Sequence, residues 1–153
     1  MDVKEVNKYA NRYGELRDVQ FAAYEIYARK HGLTAKELFV LDIIWFERGG
    51  CPQSEICERL SATKQTISAI VKKFLKLGYF SLSESPTDRR NQIIHLTIEG
   101  KKYVKKIIPP AAKAENEAMA ELSEKDVAEL VRLTEMFSEN MRKKFNEIGG
   151  AKK

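Results

Sequence analysis

The segment ATKQTISAIVKKFLKLG, residues 62–78, carries amide, hydroxyl and ammonium groups along one side of a predicted helix. On a helical wheel of about 100° per residue, its apolar residues cluster around Ile67. The opposite face holds no acid; it consists of Gln65, Ala69, Lys72 and Lys76, with Thr66 and Lys73 at one margin and Ser68 at the other.

These residue types suit base recognition in the major groove of DNA. Glutamine can make two hydrogen bonds to adenine, threonine can offer its methyl group to thymine, and lysine can reach guanine or a phosphate. Ala69 permits close approach, and free N–H groups at the helix start suit a phosphate. Taken alone, the pattern fits an ordinary amphipathic helix with a lysine-rich wet face better, so the neighbouring segments decide between the two interpretations.

A second charge cluster lies in SPTDRRNQ, residues 85–92. It joins two segments that alternate in the manner of strands, 79–84 and 91–97, with Phe80 and Leu82 on one side of the first. The pattern predicts a hairpin whose tip exposes one acid and two arginines. Unless these charges serve only solubility, they require a partner.

Positive charge is concentrated in the middle of the chain. Residues 59–106 hold eleven basic and three acidic residues, a net charge of +8, whereas residues 1–58 carry −2 and residues 107–148 carry −3. This distribution is typical of a nucleic-acid surface held by a less charged scaffold. A basic face that only aids solubility is the alternative.

Catalysis would need a nucleophile with a base, paired carboxylates or metal ligands. His31 and His95 have no evident partners in the sequence, and they form no metal-ligand spacing with Cys51 and Cys57. Cys57 is expected on the inward face of a short helix, and Cys51 at a turn, where it would be more accessible. The sequence therefore predicts no enzyme, no metal and no cofactor.

The chain has no apolar run long enough to cross a membrane, and its charged N-terminus lacks the apolar core of a signal peptide. Two cysteines fit a reducing compartment, so a cytoplasmic protein is expected.

Helical periodicity and capping residues predict most of the remaining elements. A helix covers residues 3–29, and a capping box, Thr34 to Glu37, starts LFVLDIIWFE, which should be the buried centre of a domain. SEICERL is a short helix. The next helix begins after Thr63 and stops at Gly78, which completes a helix-turn-helix.

Two more predicted boundaries lie in the last third of the chain. Thr97 caps the helix IEGKKYVKKII, and Pro109-Pro110 should kink or break it because each proline removes a donor and clashes with the preceding turn. The segment from Ser123 to Asp126 starts a last helix.

Helix, short helix, basic helix and charged hairpin, in this order, resemble the winged helix-turn-helix of the MarR family of bacterial transcription regulators. The matching residues are LTAKELFVL (33–41), SEICERLSATKQTISAIVKKFLKLG (54–78), DRR (88–90) and LTIEGKKY (96–103). The resemblance implies a mainly α fold with a small antiparallel β-wing, composed of a winged helix-turn-helix domain plus terminal dimerisation helices.

The resemblance also gives the hairpin tip a role. The loop would be a wing along the DNA backbone, with Arg90 in the minor groove and Arg89 on a phosphate, although the two roles are exchangeable. Asp88 would hold an arginine side chain through a charge-assisted hydrogen bond. Many family members have a basic residue in the first wing strand, near the position of Leu82. A charge contact between the wing and that strand is therefore not expected here. The candidate DNA contacts are Thr63, Lys64, Gln65, Thr66, Ser68, Ala69, Lys72, Lys73, Lys76, Asp88, Arg89 and Arg90.

Both ends of the chain carry apolar stripes that an isolated helix cannot bury. The family uses them to form a two-fold dimer, which implies residues 1–30 and 100–148 as dimerisation segments, 31–99 as the DNA-binding domain and 149–153 as a frayed tail. Packing of the two ends on each other within a monomer is the alternative. The candidate dimerisation residues are Val6, Tyr9, Tyr13, Val127, Leu130, Phe137, Met141 and Phe145.

The function implied is sequence-specific binding of double-stranded DNA at a pseudo-palindromic operator, with repression the commoner outcome. Relatives often release DNA when a small aromatic or anionic effector enters a cleft. Tyr13, Tyr24, Tyr27, Trp45 and Phe46 are candidates to line it, although core or interface roles explain them better. A winged helix that binds protein or RNA without operator recognition is the competing hypothesis.

Overall fold

The computed structural model describes residues 1–149 as a mainly helical chain with one small sheet. In chain order the elements are α1 (Val3–Lys30), α2 (Ala35–Phe46), β1 (Cys51–Pro52), α3 (Gln53–Arg59), α4 (Lys64–Lys76), β2 (Phe80–Glu84), β3 (Gln92–Leu96), α5 (Ile98–Lys105), α6 (Ile108–Ala120) and α7 (Glu124–Gly149). The predicted frayed tail began at residue 149, but Gly149 still belongs to α7. Residues 150–153 lie outside the described residues.

The chain divides into two compact units, Met1–Pro109 and the segment from Pro110 onward. The first unit holds α1 to α5, the sheet and the first residues of α6. The second unit contains the rest of α6 and α7.

Helix α2 is the centre of the first unit. The predicted capping box is confirmed: the Thr34 hydroxyl accepts from the Glu37 amide at 3.2 Å, and the Glu37 carboxylate accepts from the Thr34 amide at 3.0 Å. The apolar side chains that follow are buried, as predicted; they are Leu38, Val40, Leu41, Ile43 and Ile44. Phe46 departs from this prediction, because α2 ends there and leaves the residue 60% exposed.

Helices α3 and α4 form the predicted helix-turn-helix. Ile56 of α3 and Phe74 of α4 are both fully buried. The Thr63 hydroxyl accepts from the Thr66 amide at 3.2 Å, which confirms the predicted N-cap. Gly78 follows α4 with φ +76°, and the next amide, Tyr79, donates to the Phe74 carbonyl. Only glycine adopts this conformation without strain, so the predicted stop is confirmed.

The sheet is antiparallel, with strand order β1-β3-β2. Strands β2 and β3 pair with Phe80 opposite Leu96 and Leu82 opposite Ile94, which confirms the predicted hairpin with slightly shorter strands. Strand β1 was not predicted. Its two residues, which pair with Ile94 and Ile93, are too few to show any alternation.

The expected accessibility of the two cysteines is reversed in the structure. Cys51 is fully buried in β1, whereas Cys57 is only half-buried. The turn that made Cys51 look accessible is a strand pressed against β3. Burial, with smaller contributions from the Glu55 and Glu47 charges, raises the pKa of the Cys51 thiol to about 11.

Helix α5 is fastened to the end of α4. Thr97, the predicted N-cap, accepts from the Gly100 amide at 2.9 Å and donates its hydroxyl proton to the Gly78 carbonyl at 2.7 Å. Its own amide donates to the Tyr79 carbonyl at 3.0 Å. The Tyr79 and Tyr103 rings stack with centroids 4.3 Å apart. Gly100 lies against the Tyr79 backbone with no room for a side chain.

The interruption predicted at Pro109-Pro110 is real but falls earlier. Helix α5 ends at Lys105, residues 106 and 107 form a turn, and α6 begins at Ile108. Both prolines therefore occupy the first turn of α6. Amides there have no partner within the helix, so a proline loses nothing, and the expected clash with a preceding turn does not arise.

Replacement of Gly100 by alanine should destabilise the protein by about 1–3 kcal/mol, because the added Cβ would overlap the Tyr79 carbonyl oxygen. Urea unfolding followed by circular dichroism measures this change. Gly49→Ala is the matched control: nothing lies within 4 Å of its added Cβ and it lies outside the predicted dimerisation segments, so it should change stability by no more than about 1 kcal/mol. Equal effects of the two substitutions would contradict the tight packing at Gly100.

Iodoacetamide at pH 8 should leave Cys51 of the native protein largely unmodified, because the buried thiol stays protonated well above that pH. Cys57, which is half-buried, should be alkylated first. Peptide mass spectrometry after timed quenching measures both rates, and urea provides the unfolded reference. Faster labelling of Cys51 than of Cys57 in the native protein would contradict the structure.

Candidate nucleic-acid interface

The face of α4 predicted to contact bases is open to solvent. Its exposed residues are Thr63, Lys64, Gln65, Thr66, Ala69, Lys72, Lys73 and Lys76. Ser68, at the predicted margin, is only half-buried. Behind this face Ile67, Ile70, Val71 and Phe74 are buried in the core, so the amphipathic division made from the sequence is confirmed.

The start of α4 has a small hydroxyl pair. Thr63 and Thr66 place their hydroxyl oxygens 2.9 Å apart, while Thr63 also caps the Thr66 amide. Both residues remain exposed. Thr63 is therefore a structural cap and a candidate contact at once.

The lysines of α4 differ in their electrostatic partners. Within residues 1–149 no acid lies within ion-pair distance of Lys64, Lys72 or Lys76. The ammonium of Lys73, in contrast, lies 2.8 Å from the Glu37 carboxylate of α2. The outward face of α4 has no acid of its own, as predicted, but Lys73 at its margin is paired with Glu37 of α2.

At the wing tip, Asp88 binds backbone amides and not an arginine side chain. Its carboxylate accepts from the Arg90 amide at 2.9 Å, and its carbonyl accepts from the Asn91 amide at 3.0 Å. In the part of the chain that the structure describes, no ion pair joins Asp88 to Arg89 or Arg90. The predicted charge-assisted bond to an arginine side chain is thus absent, because aspartate in a tight turn bonds the amide two residues on. Both arginines are exposed.

Asn91 and Ser54 are residues that the sequence did not single out. The Asn91 amide group donates to the Ser54 hydroxyl at 2.9 Å, and its oxygen accepts from the Ser54 amide at 3.4 Å. The two residues are 37 positions apart, so no local pattern signals the contact. These bonds fasten the base of the wing to the first turn of α3 and so fix where its tip begins.

Strand β3 carries a further polar contact. The His95 ring lies 2.7 Å from the Ser83 hydroxyl across the hairpin, although no partner was evident from the sequence. Leu82, at the position where many family members carry a basic residue, is 42% exposed.

The residues named as candidates to line an effector cleft make different contacts. The Tyr24 ring meets Phe39 edge-on at 5.2 Å, and the Tyr27 hydroxyl donates to the Ile107 carbonyl at 2.7 Å. Burial raises the pKa of the Tyr27 hydroxyl. Trp45 alone of the five borders a half-open cavity of about 390 Å³, whose other lining residues include Arg48, His95 and Lys101.

The predicted dimerisation residues of α1 and α7 leave much apolar surface uncovered in the single chain. Leu130 is 45% and Phe145 64% exposed, and α7 has no buried residue within its described length. Val6, Tyr9, Tyr13 and Phe137 are also exposed, whereas Val127 and Met141 are half-buried.

Among the described residues, no group of three or more histidine, cysteine, aspartate or glutamate side chains could hold a metal ion. The same residues include no helix that is both long and apolar enough to span a membrane.

The sequence and the fold are similar to those of known proteins of one family. The model of the MarR family matches residues 31–91. The HTH-type transcriptional regulator MhqR of Bacillus subtilis (strain 168) is 30% identical over 98 residues, which are 64% of this chain and 67% of MhqR. The fold is similar to that of NMB1585, a MarR family regulator from Neisseria meningitidis, with a TM-score of 0.76 at 24% identity over 96% of this chain and 99% of that one.

It is also similar to MepR of S. aureus in its complex with DNA, with a TM-score of 0.68 at 21% identity over 83% of this chain and 97% of MepR. The family match covers α2, the helix-turn-helix, β2 and the loop that follows β2, which are the elements that present the exposed face of α4 and the wing arginines. The chain therefore belongs to the MarR family of winged helix-turn-helix transcriptional regulators, and it is a regulator rather than an enzyme.

Proposed function

We propose that the protein is a homodimeric repressor that binds a pseudo-palindromic site on double-stranded DNA and releases it when a small effector binds. The observation that carries DNA binding is the exposed, acid-free face of α4, with three lysines that have no acidic partner among the described residues. A cationic face without internal neutralisation attracts a polyanion, because phosphate contacts release condensed counterions.

Helix α4 would enter the major groove with its N-terminal half toward the bases. Gln65 lies one turn before Ala69 on the same exposed strip, so the amide can approach an adenine edge while the small alanine leaves room for the backbone. Lys72 and Lys76 follow at one-turn intervals and would reach guanine or phosphates. Specificity would come from Gln65, and affinity largely from the lysines.

The wing would add a minor-groove contact. Arg90 is exposed, and its backbone amide is tied to Asp88 at 2.9 Å, so the turn presents the guanidinium from an ordered tip. A narrow minor groove concentrates negative potential and attracts such a group. Arg89 would contact a phosphate. Asp88 acts in this proposal through the Arg90 backbone.

A dimer would place two α4 helices one DNA turn apart, at about 34 Å. The uncovered apolar side chains of α1 and α7 support this assembly, since exposed apolar surface of this extent is costly in water. We propose residues 1–30 and 100–148 as the dimerising segments and residues 31–99 as the DNA-binding domain. Doubling the lysines would also steepen the salt dependence of binding.

The effector part of the proposal is supported by the cavity beside Trp45. An indole surface together with Arg48 and Lys101 gives an aromatic wall and two cationic groups, while Glu47, the acid of the lining, pairs with Arg59 at 3.4 Å. This combination suits a small aromatic anion. Its volume of about 390 Å³ is within the range of small-molecule sites. His95 and Leu96 of β3 line the same cavity, so an occupant would touch the strand that leads out of the wing.

Arg90→Ala should weaken binding to the specific duplex by about 1–3 kcal/mol, because the minor groove loses its guanidinium. Fluorescence anisotropy with a labelled duplex selected from random sequences measures the affinity, and sedimentation confirms an intact dimer. Arg89→Ala serves as the comparison: it should reduce the slope of log affinity against log salt by about 0.9 per protomer while base preference persists. Unchanged binding by Arg90→Ala would remove the wing from the mechanism.

Phe145→Glu should weaken the dimer about 100-fold or more, since the proposed dimer would bury two Phe145 rings and the variant would place carboxylates in their positions. Asn146→Glu adds the same charge one position along α7, off the apolar stripe, and should leave the dimer unchanged. Sedimentation equilibrium at micromolar concentration compares them. A wild-type protein that is monomeric at this concentration would refute the dimer.

The anisotropy measurement can be repeated with duplex RNA. Equal binding of duplex DNA and duplex RNA would refute operator recognition.

A further inference from the structure

The ion pair between Glu37 and Lys73 joins the central helix α2 to the recognition helix α4. The Lys73 ammonium lies 2.8 Å from one carboxylate oxygen of Glu37. The glutamate side chain is only 12% exposed and the lysine side chain 42%. Because the carboxylate is largely shielded from solvent, salt screens this pair less than it screens a fully exposed one.

Glu37 is held in place by hydrogen bonds at the start of α2. Its second carboxylate oxygen accepts from the Thr34 amide at 3.0 Å as part of the capping box. The turn that carries it is held from α1 as well, since the Glu25 carboxylate accepts from the Ala35 amide at 3.1 Å. Ala35 and Leu38, on either side of Glu37, are both buried. A lysine that reaches this carboxylate is therefore anchored to the core of the first unit.

Lys73 differs in this respect from every other lysine of α4. Lys64, Lys72 and Lys76 have no acidic partner in the described part of the chain, and they extend from the helix into solvent. Lys73 lies in the last turn of α4, where its carbonyl accepts from the Leu77 amide at 3.1 Å. Its ion pair therefore ties the C-terminal turn of α4 to α2 and adds to the restraint that the buried side chains of α4 place on rotation of the helix about its axis.

We propose that Lys73 is a positioning residue of the recognition helix, held by Glu37, and makes no contact with the DNA backbone. This inference rests on the proposed DNA binding through α4. It has two consequences. First, the pair sets the rotation of α4 about its axis, and with it the orientation of Gln65 and Ala69 toward the bases. Second, because Lys73 is bound to Glu37, its positive charge is not available for non-specific contact with phosphates.

Three variants separate positioning from phosphate contact. Lys73→Met removes the charge and keeps most of the aliphatic stem. Glu37→Gln releases Lys73 but retains an acceptor for the Thr34 amide, so the capping box survives. Lys72→Met is the matched control, since Lys72 is the adjacent lysine and has no ion pair within residues 1–149. Circular dichroism and thermal melting verify that each variant is folded.

The measurement is the affinity of each full-length variant for two duplexes, one selected by the protein from random sequences and one scrambled, over a series of salt concentrations. Lys72→Met should reduce the salt slope by about 0.9 per protomer on both duplexes. Lys73→Met should leave the slope unchanged and lower affinity for the selected duplex alone, by about fivefold or more. Glu37→Gln should steepen the slope by about 0.9 per protomer and reduce the ratio of selected to scrambled affinity.

The double variant Glu37→Gln/Lys73→Met should behave as Lys73→Met alone, because both substitutions remove the same interaction. A salt slope that falls as much for Lys73→Met as for Lys72→Met would make Lys73 a phosphate contact and overturn the inference while leaving DNA binding intact. An unchanged slope and ratio for Glu37→Gln would overturn it as well. A wild-type protein that binds neither duplex would overturn the proposed function itself and this role with it.

Discussion

The burial of α2 is the constraint on which the rest of the first unit depends. This helix is apolar on nearly all sides, so it is stable only when other elements surround it. Helix α1, strand β3 and helix α5 all pack against it. Its first turn is held by Thr34 and Glu37 within the helix and by Glu25 from α1. The rigid centre that results supplies the fixed positions from which α4 and the wing extend.

Features governed by neighbouring residues could be predicted from the sequence. Thr34, Thr63 and Thr97 were each identified as N-caps, and each accepts the expected amide, because a capping bond spans only three residues. The buried and exposed faces of α4 followed from helical periodicity in the same way. The hairpin followed from alternation, with an error of about one residue at its ends.

Features that join distant segments could not be predicted. The Glu37 and Lys73 side chains are 36 positions apart, and Ser54 and Asn91 are 37 apart, so periodicity contains no trace of either contact. The accessibility of Cys51 was wrong for the same reason, since the strand that covers it lies more than forty residues later. Asp88 was predicted to hold an arginine side chain, whereas the local geometry of the turn favours the Arg90 amide.

The residues that fold α4 and those that would distinguish one base from another are separate sets. Gln65 and Ala69 project into solvent, while Ile67, Ile70 and Phe74 fill the core on the other side. Substitutions at solvent-exposed positions without structural contacts usually alter stability by no more than about 0.5 kcal/mol. With base contacts as proposed, gene duplicates of such a chain would be free to diverge toward new target sequences by changes at these exposed positions, without any compensating change in the scaffold.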